Sequence, residues 1–559
     1  MRGLLLFSLL LSNWLIADDA AEAFDVSSVI SAPVEKLEPP RWYPEIVSWT
    51  PAITTSDEMA QRHVVQGMAL IHAGWDFEAY RHFCEAAKKD PQCLMAFWGI
   101  AFSLVQPNSE VNEERAAALE RMFDLVDAGF GTENEKAQVR ALAQLFSDEP
   151  ELSPDVFATT ARLFPNDLQM RLIASFLKKD GYDVILGEGL GQRTAVAEIT
   201  EITKQHPESQ MARLFWLSVQ ADHLDGPGYL RKELLPKMRA LEKLAPDFPP
   251  YQQMLGHFEW RAGNLRLAQK AFARASALYA EYMKTQEVAV ADCPNWVRAK
   301  LYEATTHHSL GEFDQALAIA TELKELPLPD ERIQSPGGAI LLWEGRTLGA
   351  RLYQARGQKG DFANGMDALP PKQEGQRLAK RDAVVLAWEG WRHSLAARDA
   401  MENEKMQKAA VFLEFIEGSD ELLGGVTNDV LARASRSYWA RARNGLTVSW
   451  NEGQGIFSSL EKESEQSRAA FWFKSAVDEQ NLPSGMMPPI LLRPLELSLA
   501  EWYADQKDQP NADSFYKKAM ERRPNDVNVL SSYASWLEAS ERAEAAASIR
   551  EHIGTVSST

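Results

Sequence analysis

Along most of the chain, small and apolar residues recur at helical spacing in paired blocks separated by a turn. In the segment QRHVVQGMALIHAGWDFEAYRHFCEAAKKDPQC, residues 61 to 93, Gly67, Gly74, Ala79, Phe83, Ala86 and Pro91 fall at positions 8, 15, 20, 24, 27 and 32 of one 34-residue frame. Each residue type has a packing reason. Small residues at 8 and 20 let two antiparallel helices approach closely, the aromatic at 24 fills the space toward the next pair, and the proline opens the following helix. The same frame continues without insertion into CLMAFWGIAFSL, where Ala96, Phe97, Ile100, Ala101 and Leu104 take positions 3, 4, 7, 8 and 11.

The frame returns further along. Leu255, Gly256, Gly263, Ala268, Phe272 and Ala275 occupy 7, 8, 15, 20, 24 and 27 of a third unit, and Ala304, Gly311, Phe313 and Ala316 mark a fourth. Near the C-terminus Leu499, Ala500, Tyr503, Ala512, Tyr516, Ala519 and Pro524 define a fifth, and Leu530, Tyr533, Ala534, Leu537 and Ala546 follow it in register. On these residues the chain resembles the tetratricopeptide-repeat family, in particular its long, divergent bacterial members. The resemblance implies an all-α fold: a tetratricopeptide-like helical solenoid of antiparallel helix pairs wound into a right-handed superhelix, used mainly for protein interaction.

Between the clear units the spacing stays helical, as in NEERAAALERMFDLVDAG and SPDVFATTARLFPNDLQMRLIASFLKKD. Glycine and proline thicken from residue 334 to 381, which reads as a long loop or a junction. The pattern divides the chain into an extended leader at 24–56, an N-terminal solenoid at 57–333, that junction, and a C-terminal helical region at 382–559 ending in two repeat units. Residues 1–23 have a secretory layout: Arg2, an apolar run from Leu4 to Ala17, then Ala21-Glu22-Ala23. The run falls short of the ~20 residues of a spanning helix. The expected location is therefore outside the cytoplasm, periplasmic or secreted, with no integral membrane segment once the signal is removed.

Composition changes the picture in one respect. With 59 Lys and Arg against 79 Asp and Glu, the formal net charge is -20, which opposes nonspecific nucleic-acid binding. A protein or peptide partner is expected, and no nucleic acid. Cys84, Cys93 and Cys293 are too few for a disulfide scaffold. A Cys84–Cys93 bridge and two small buried apolar residues are the alternatives.

Chemistry is sparse. No metal site is expected in the histidine-rich segment, because His82 and Cys84 point about 200° apart on one helix and His63 and His72 about 180°. VILGEGLGQR lacks the third glycine of a dinucleotide fingerprint, Gln192 standing there, so Gly187, Gly189 and Gly191 read as a loop. HExxH, GxSxG, CxxC and GxxxxGK[ST] are absent, so no catalytic residue and no cofactor are expected.

What remains is the inner face that the family resemblance implies. Its helix-A positions correspond to Trp98 and Phe102, to Gln253, His257, Trp260 and Arg261, and to Arg298, Thr305 and His308. Tryptophan and arginine dominate binding hot spots, which makes this set a candidate groove. The alternative is that extra helices fill the groove and bury Trp98 and Trp260 as core. The leading function is an exported interaction scaffold. Two other readings stay open: a periplasmic enzyme or small-ligand binder using His257, Arg261 and His308, and a structural protein of envelope assembly.

Overall fold

The computed structural model describes residues 24–106, 109–183, 187–223, 226–378, 383–426, 436–461, 466–480 and 487–558. The expected signal segment, 1–23, lies outside them, as do Val184–Leu186 of the glycine-rich stretch. The fold is the tetratricopeptide-like helical solenoid, built from antiparallel helix pairs. It divides into two compact units. One holds residues 24–180, Leu190–Val219 and Thr285–Val288, and the other Gly181–Gly189, Gln220–Lys284 and the chain from Ala289 onward.

The first unit begins with the pair α1 (Glu58–His72) and α2 (Asp76–Lys89), followed by α3 (Leu94–Ser103) and α4 (Asn112–Asp127). The repeat pattern explains their contact. A Cβ placed on Gly67 would lie 2.8 Å from the Phe83 ring, so only glycine lets α1 and α2 close over that aromatic. Then come α5 (Glu133–Gln144), α6 (Ser153–Leu163), α7 (Leu168–Phe176), α8 (Leu190–Gln205) and α9 (Gln210–Val219). Thr132 and Glu135 form a reciprocal capping box at the start of α5. The Glu135 carboxylate also accepts bonds from the Thr54 amide and hydroxyl, at 2.7 and 2.6 Å.

The leader at 24–56 is threaded over these helices by polar contacts. The Ser31 amide donates to the Tyr80 hydroxyl, which itself donates to the Val29 carbonyl, at 2.7 and 2.8 Å. The Tyr43 amide donates to Gln66 Oε1 at 3.1 Å. The leader is not extended throughout: it carries short helical turns at Val26–Val29, Ala32–Glu35 and Pro44–Ile46, and these bonds satisfy backbone groups that it would otherwise bury unpaired.

The second unit starts with a two-residue antiparallel ribbon, Tyr182–Asp183 against Gly187–Glu188. Its helices are α10 (227–242, with a π turn at Leu230–Leu234), α11 (Pro249–Arg261), α12 (Leu265–Thr285), α13 (Pro294–Ser309) and α14 (Phe313–Glu325). Within the stretch that the sequence reads as a loop or junction, 334–381, the described residues form helices: α15 (Pro336–Ile340), a π turn at Leu341–Gly345, α16 (Leu348–Arg356), α17 (Asp361–Ala368) and α18 (Lys372–Arg377). The glycines serve contact. A Cβ on Gly337 would sit 2.1 Å from the Val290 carbonyl oxygen, and one on Gly338 2.3 Å from that of Arg332.

Beyond lie α19 (Ala383–Glu402), α20 (Met406–Gly425), α21 (Arg436–Leu460) and α22 (Gln466–Glu479). Two hairpins end the chain: α23 (Leu495–Asp505) with α24 (Gln509–Arg522), and α25 (Val527–Ala539) with α26 (Ala543–Ser558). Glu344 in the π turn is buried between Arg351 at 3.2 Å and Arg441 at 2.8 Å. The arginines in turn reach the carbonyls of Ile490 and Pro488. A carboxylate buried this deeply stays ionised only because both guanidiniums face it, and they hold it below the usual carboxylate range against the opposing effect of burial.

The terminal hairpins also return to much earlier turns. Asn525, whose φ of 63° suits asparagine in a tight turn, donates to the Gly263 carbonyl at 2.8 Å. Asn528 donates to the His308 carbonyl at 2.7 Å, and Arg266 to that of Ser557 at 2.8 Å. Val556 joins Trp260, Leu265, Phe272 and Tyr302 in one apolar cluster.

Candidate functional site

A cleft of about 600 Å³ opens in the second unit where these returns meet α11. Trp260, Arg261 and Leu265 form one wall, Pro227 and Leu230 of α10 another, and Lys518, Arg522, Arg523 and Pro524 a third. Trp260 and Arg261 were legible from the repeat frame. Lys518, Arg522 and Arg523 were not: the doublet in ERRPND carries no local signal that its wall lies across from α11.

The cations differ in how they are neutralised. Arg522 is paired with Glu496, Nε to Oε1 at 2.7 Å. Arg261 donates to two neutral acceptors, the carbonyls of Ala221, at 2.5 Å, and His223. Arg523 is 7% exposed, its guanidinium lies 5.3 Å from the Trp260 ring centre, and among the described residues its one side-chain hydrogen bond is a long 3.4 Å contact to the Arg522 carbonyl. Its Nε has no partner among the described residues. Burial, with the adjacent Arg522 charge, pulls it down to about 10, so it is still a cation at neutral pH.

The remaining candidates fall away from open space. His257 is wholly buried on α11, with Nε2 at 2.8 Å from the Ala221 carbonyl and Nδ1 at 2.7 Å from the Tyr302 hydroxyl. A carbonyl only accepts, so Nε2 carries the proton and Nδ1 accepts from tyrosine; both nitrogens are occupied. Burial, reinforced by Arg261, pushes this imidazole down to about 3. Gln253, Thr305 and His308 are also buried, Thr305 bonding the Leu301 carbonyl one turn back. Arg298 is half-buried and bonds Asn295 at 3.1 Å. In the first unit Trp98 is wholly buried, donates to the Gln138 carbonyl at 3.2 Å and stacks on Phe102 at 4.9 Å. Of the nine, the structure brings only Trp260 and Arg261 to the wall of this cleft. Trp260 itself is just 5% exposed.

Elsewhere, His63 and His82, from facing helices α1 and α2, meet with Nδ1 atoms 2.9 Å apart. Helix angles on single helices could not show this pairing. His82 Nε2 lies 3.1 Å from the Arg41 carbonyl, so it donates there and His82 Nδ1 accepts from His63. Burial pushes the pair down to about 4 and about 3, and the Trp42 ring covers both. All three cysteines are free thiols and buried. The start of α8, at the glycine-rich stretch, takes an anion from its own chain: Asp180 accepts from the Gly191 and Gln192 amides at 3.0 and 2.7 Å.

No family model matches the sequence, and no curated protein matches it. Solved structures similar to it include a human IFIT1 dimer with m7Gppp-AAAA, at 11% identity over 91% of this chain and 92% of that one, TM-score 0.31. The Cut9–Hcn1 hetero-tetramer of APC/C follows at 15% identity, 87% and 76% coverage and TM-score 0.32. The TPR domain of P58(IPK) aligns at 12% identity, 80% and 99% coverage and TM-score 0.17. The repeat architecture of this chain rests on its own packing. Among the described residues no helix is long and apolar enough to cross a membrane.

Proposed function

We propose that the chain is an exported protein-interaction scaffold whose partner docks in the cleft of the second unit. The observation that carries the reading is the roughly 600 Å³ opening walled by Trp260, Arg261 and the arginines of the terminal hairpins. Those are the residue types that contribute most where water is excluded from an interface. Export is inferred from residues 1–23, and sequencing the N-terminus of the mature protein should give Phe24 first. The negative charge of the chain disfavours nucleic acid, and a mobility-shift assay with single-stranded RNA at low salt checks that separately.

A photo-crosslinking residue placed at the exposed rim position Lys518 should capture one protein from native envelope extract. Capture should fall at least tenfold in Arg261→Ala, compared at a temperature where circular dichroism shows both chains folded. Undiminished capture in that variant, or crosslinks only from positions outside the cleft, would place the partner elsewhere.

A further inference from the structure

We infer that the cleft is a carboxylate site at a closure seam: a carboxylate-bearing ligand bridges Arg523 and Arg261, and by doing so fastens the terminal hairpins to the α11–α12 turn. The inference rests on the cleft being the partner site and deepens that reading. Its first support is a charge inventory. Arg522 and Glu496 neutralise each other directly. Lys518 and Glu521 on the rim carry opposite charge, and Asp526 spends one oxygen on the amides of Asn528 and Val529 at the start of α25. Asp526 and Glu496 act on Arg523, and Asp222 on Arg261, only through space, so among the described residues neither arginine has a carboxylate in bonding contact.

The second support is desolvation. A guanidinium more than nine-tenths buried, with Nε unpaired, is destabilising in the free protein, since a cation removed from water needs a counter-charge. Its planar fork accepts a carboxylate through two parallel N–H bonds, and Arg261 keeps N–H groups beyond the two it uses. Two acceptors in the cleft, Glu496 Oε2 and Asp526 Oδ2, have no hydrogen-bond partner among the described residues, so a ligand that carries an N–H next to its carboxylate matches the site better than a bare anion. Trp260 and Leu265 offer that ligand an apolar wall.

The third support is position. Asn525 and Gly263, which join the seam beside the cleft, are 262 residues apart in the chain. The cleft takes its walls from both sides of that junction, so a ligand that binds both arginines must also stabilise the junction.

The probes are a fluorescein-labelled peptide of six glutamates, its six-lysine counterpart, sodium glutarate and inorganic phosphate. The glutamate peptide should bind the full chain, and hydrogen exchange should slow at 261–264 and 524–528 when it does. Arg523→Gln should weaken binding at least tenfold and abolish the added protection while melting at the same or a higher temperature. Arg523→Lys, which keeps the charge and loses the fork, should bind several-fold more weakly than the native chain and tests the point if the glutamine variant does not fold. Competition by glutarate extends the site to free dicarboxylic acids, and its failure confines the site to peptides. Equal binding by Arg523→Gln, preference for phosphate or for the lysine peptide, or binding without slowed exchange at the seam would overturn the inference. Capture of a native partner that survives Arg523→Gln would overturn it too, while leaving the scaffold reading in place.

Discussion

At the scale of single residues, the repeat frame assigns two kinds of position, and the structure tests the distinction on α11 and α12. Gly256 and Phe272 behave as the frame requires: a Cβ on the glycine would stand 2.7 Å from the ring. Gly256→Leu should therefore destabilise by about 1 to 3 kcal/mol through overpacking, read from denaturant midpoints. Trp260 is harder to classify from sequence. The frame puts it on the inner face, yet it packs in one cluster with Phe272 and Tyr302 and is only 5% exposed. Trp260→Ala and Phe272→Ala should both cost roughly 3 to 5 kcal/mol. A Trp260→Ala protein that melts like the native chain would show that the indole is not part of that core. The frame reports which way a side chain points from its own helix; it is silent on what a later hairpin lays over it. For the same reason His257 reads as a groove residue and stands as a core one, fixed by Tyr302 and the Ala221 carbonyl.

Between residue and molecule stand the elements. The hairpins with glycine or alanine at position 8 and an aromatic at 24 were legible because those choices are forced by helix contact. Helices α15 to α18 were not, because glycine and proline signal a break by default. Here Gly337 and Gly338 are small so that a helix start can touch the carbonyls of Val290 and Arg332. A single sequence cannot distinguish a glycine used for its backbone freedom from one used for its size. The leader offers an element-scale prediction. Tyr80 joins it to α2 through one hydroxyl that both accepts from Ser31 and donates to Val29. Tyr80→Phe leaves the buried Ser31 amide unpaired and the Val29 carbonyl with only the long Cys84 thiol contact, at a cost of about 1 to 3 kcal/mol. Limited proteolysis should then cut near residues 29–35 while the helices stay intact. Unchanged resistance there would mean that the apolar contacts of the leader suffice to hold it.

For the molecule as a whole, buried histidines set the response to acid. His72 and His82 in the first unit and His257 in the second are each pushed down to about 3 by burial, from an ordinary value of 6.5. The unfolded chain takes up these protons once the pH drops below about 6.5, and the folded chain does not until far lower. Stability is then constant above that point as far as these groups are concerned. It declines as pH falls, by roughly 1.4 kcal/mol per pH unit for each histidine. Glu344 and Glu452, held low by their arginines, extend the decline below the ordinary carboxylate range. Urea midpoints measured from pH 8 to pH 4.5 should be flat and then fall, and His82→Gln should reduce the slope. A midpoint that rises on acidification would show that these imidazoles protonate while folded.

The bond between Asn525 and Gly263 also has a consequence in time. A linear repeat array can complete each hairpin as it leaves the ribosome, since every surface is covered by the next one made. This unit cannot. The turn at Gly263 is synthesised 262 residues before the asparagine that bonds it, and Trp260 as long before the Arg523 that lies over its ring. At translation rates of about 5 to 20 residues per second, that leaves an apolar surface without its cover for roughly ten to fifty seconds. The nascent chain therefore presents, for nearly half of its synthesis, a binding surface for chaperones and for neighbouring copies that the finished protein has closed.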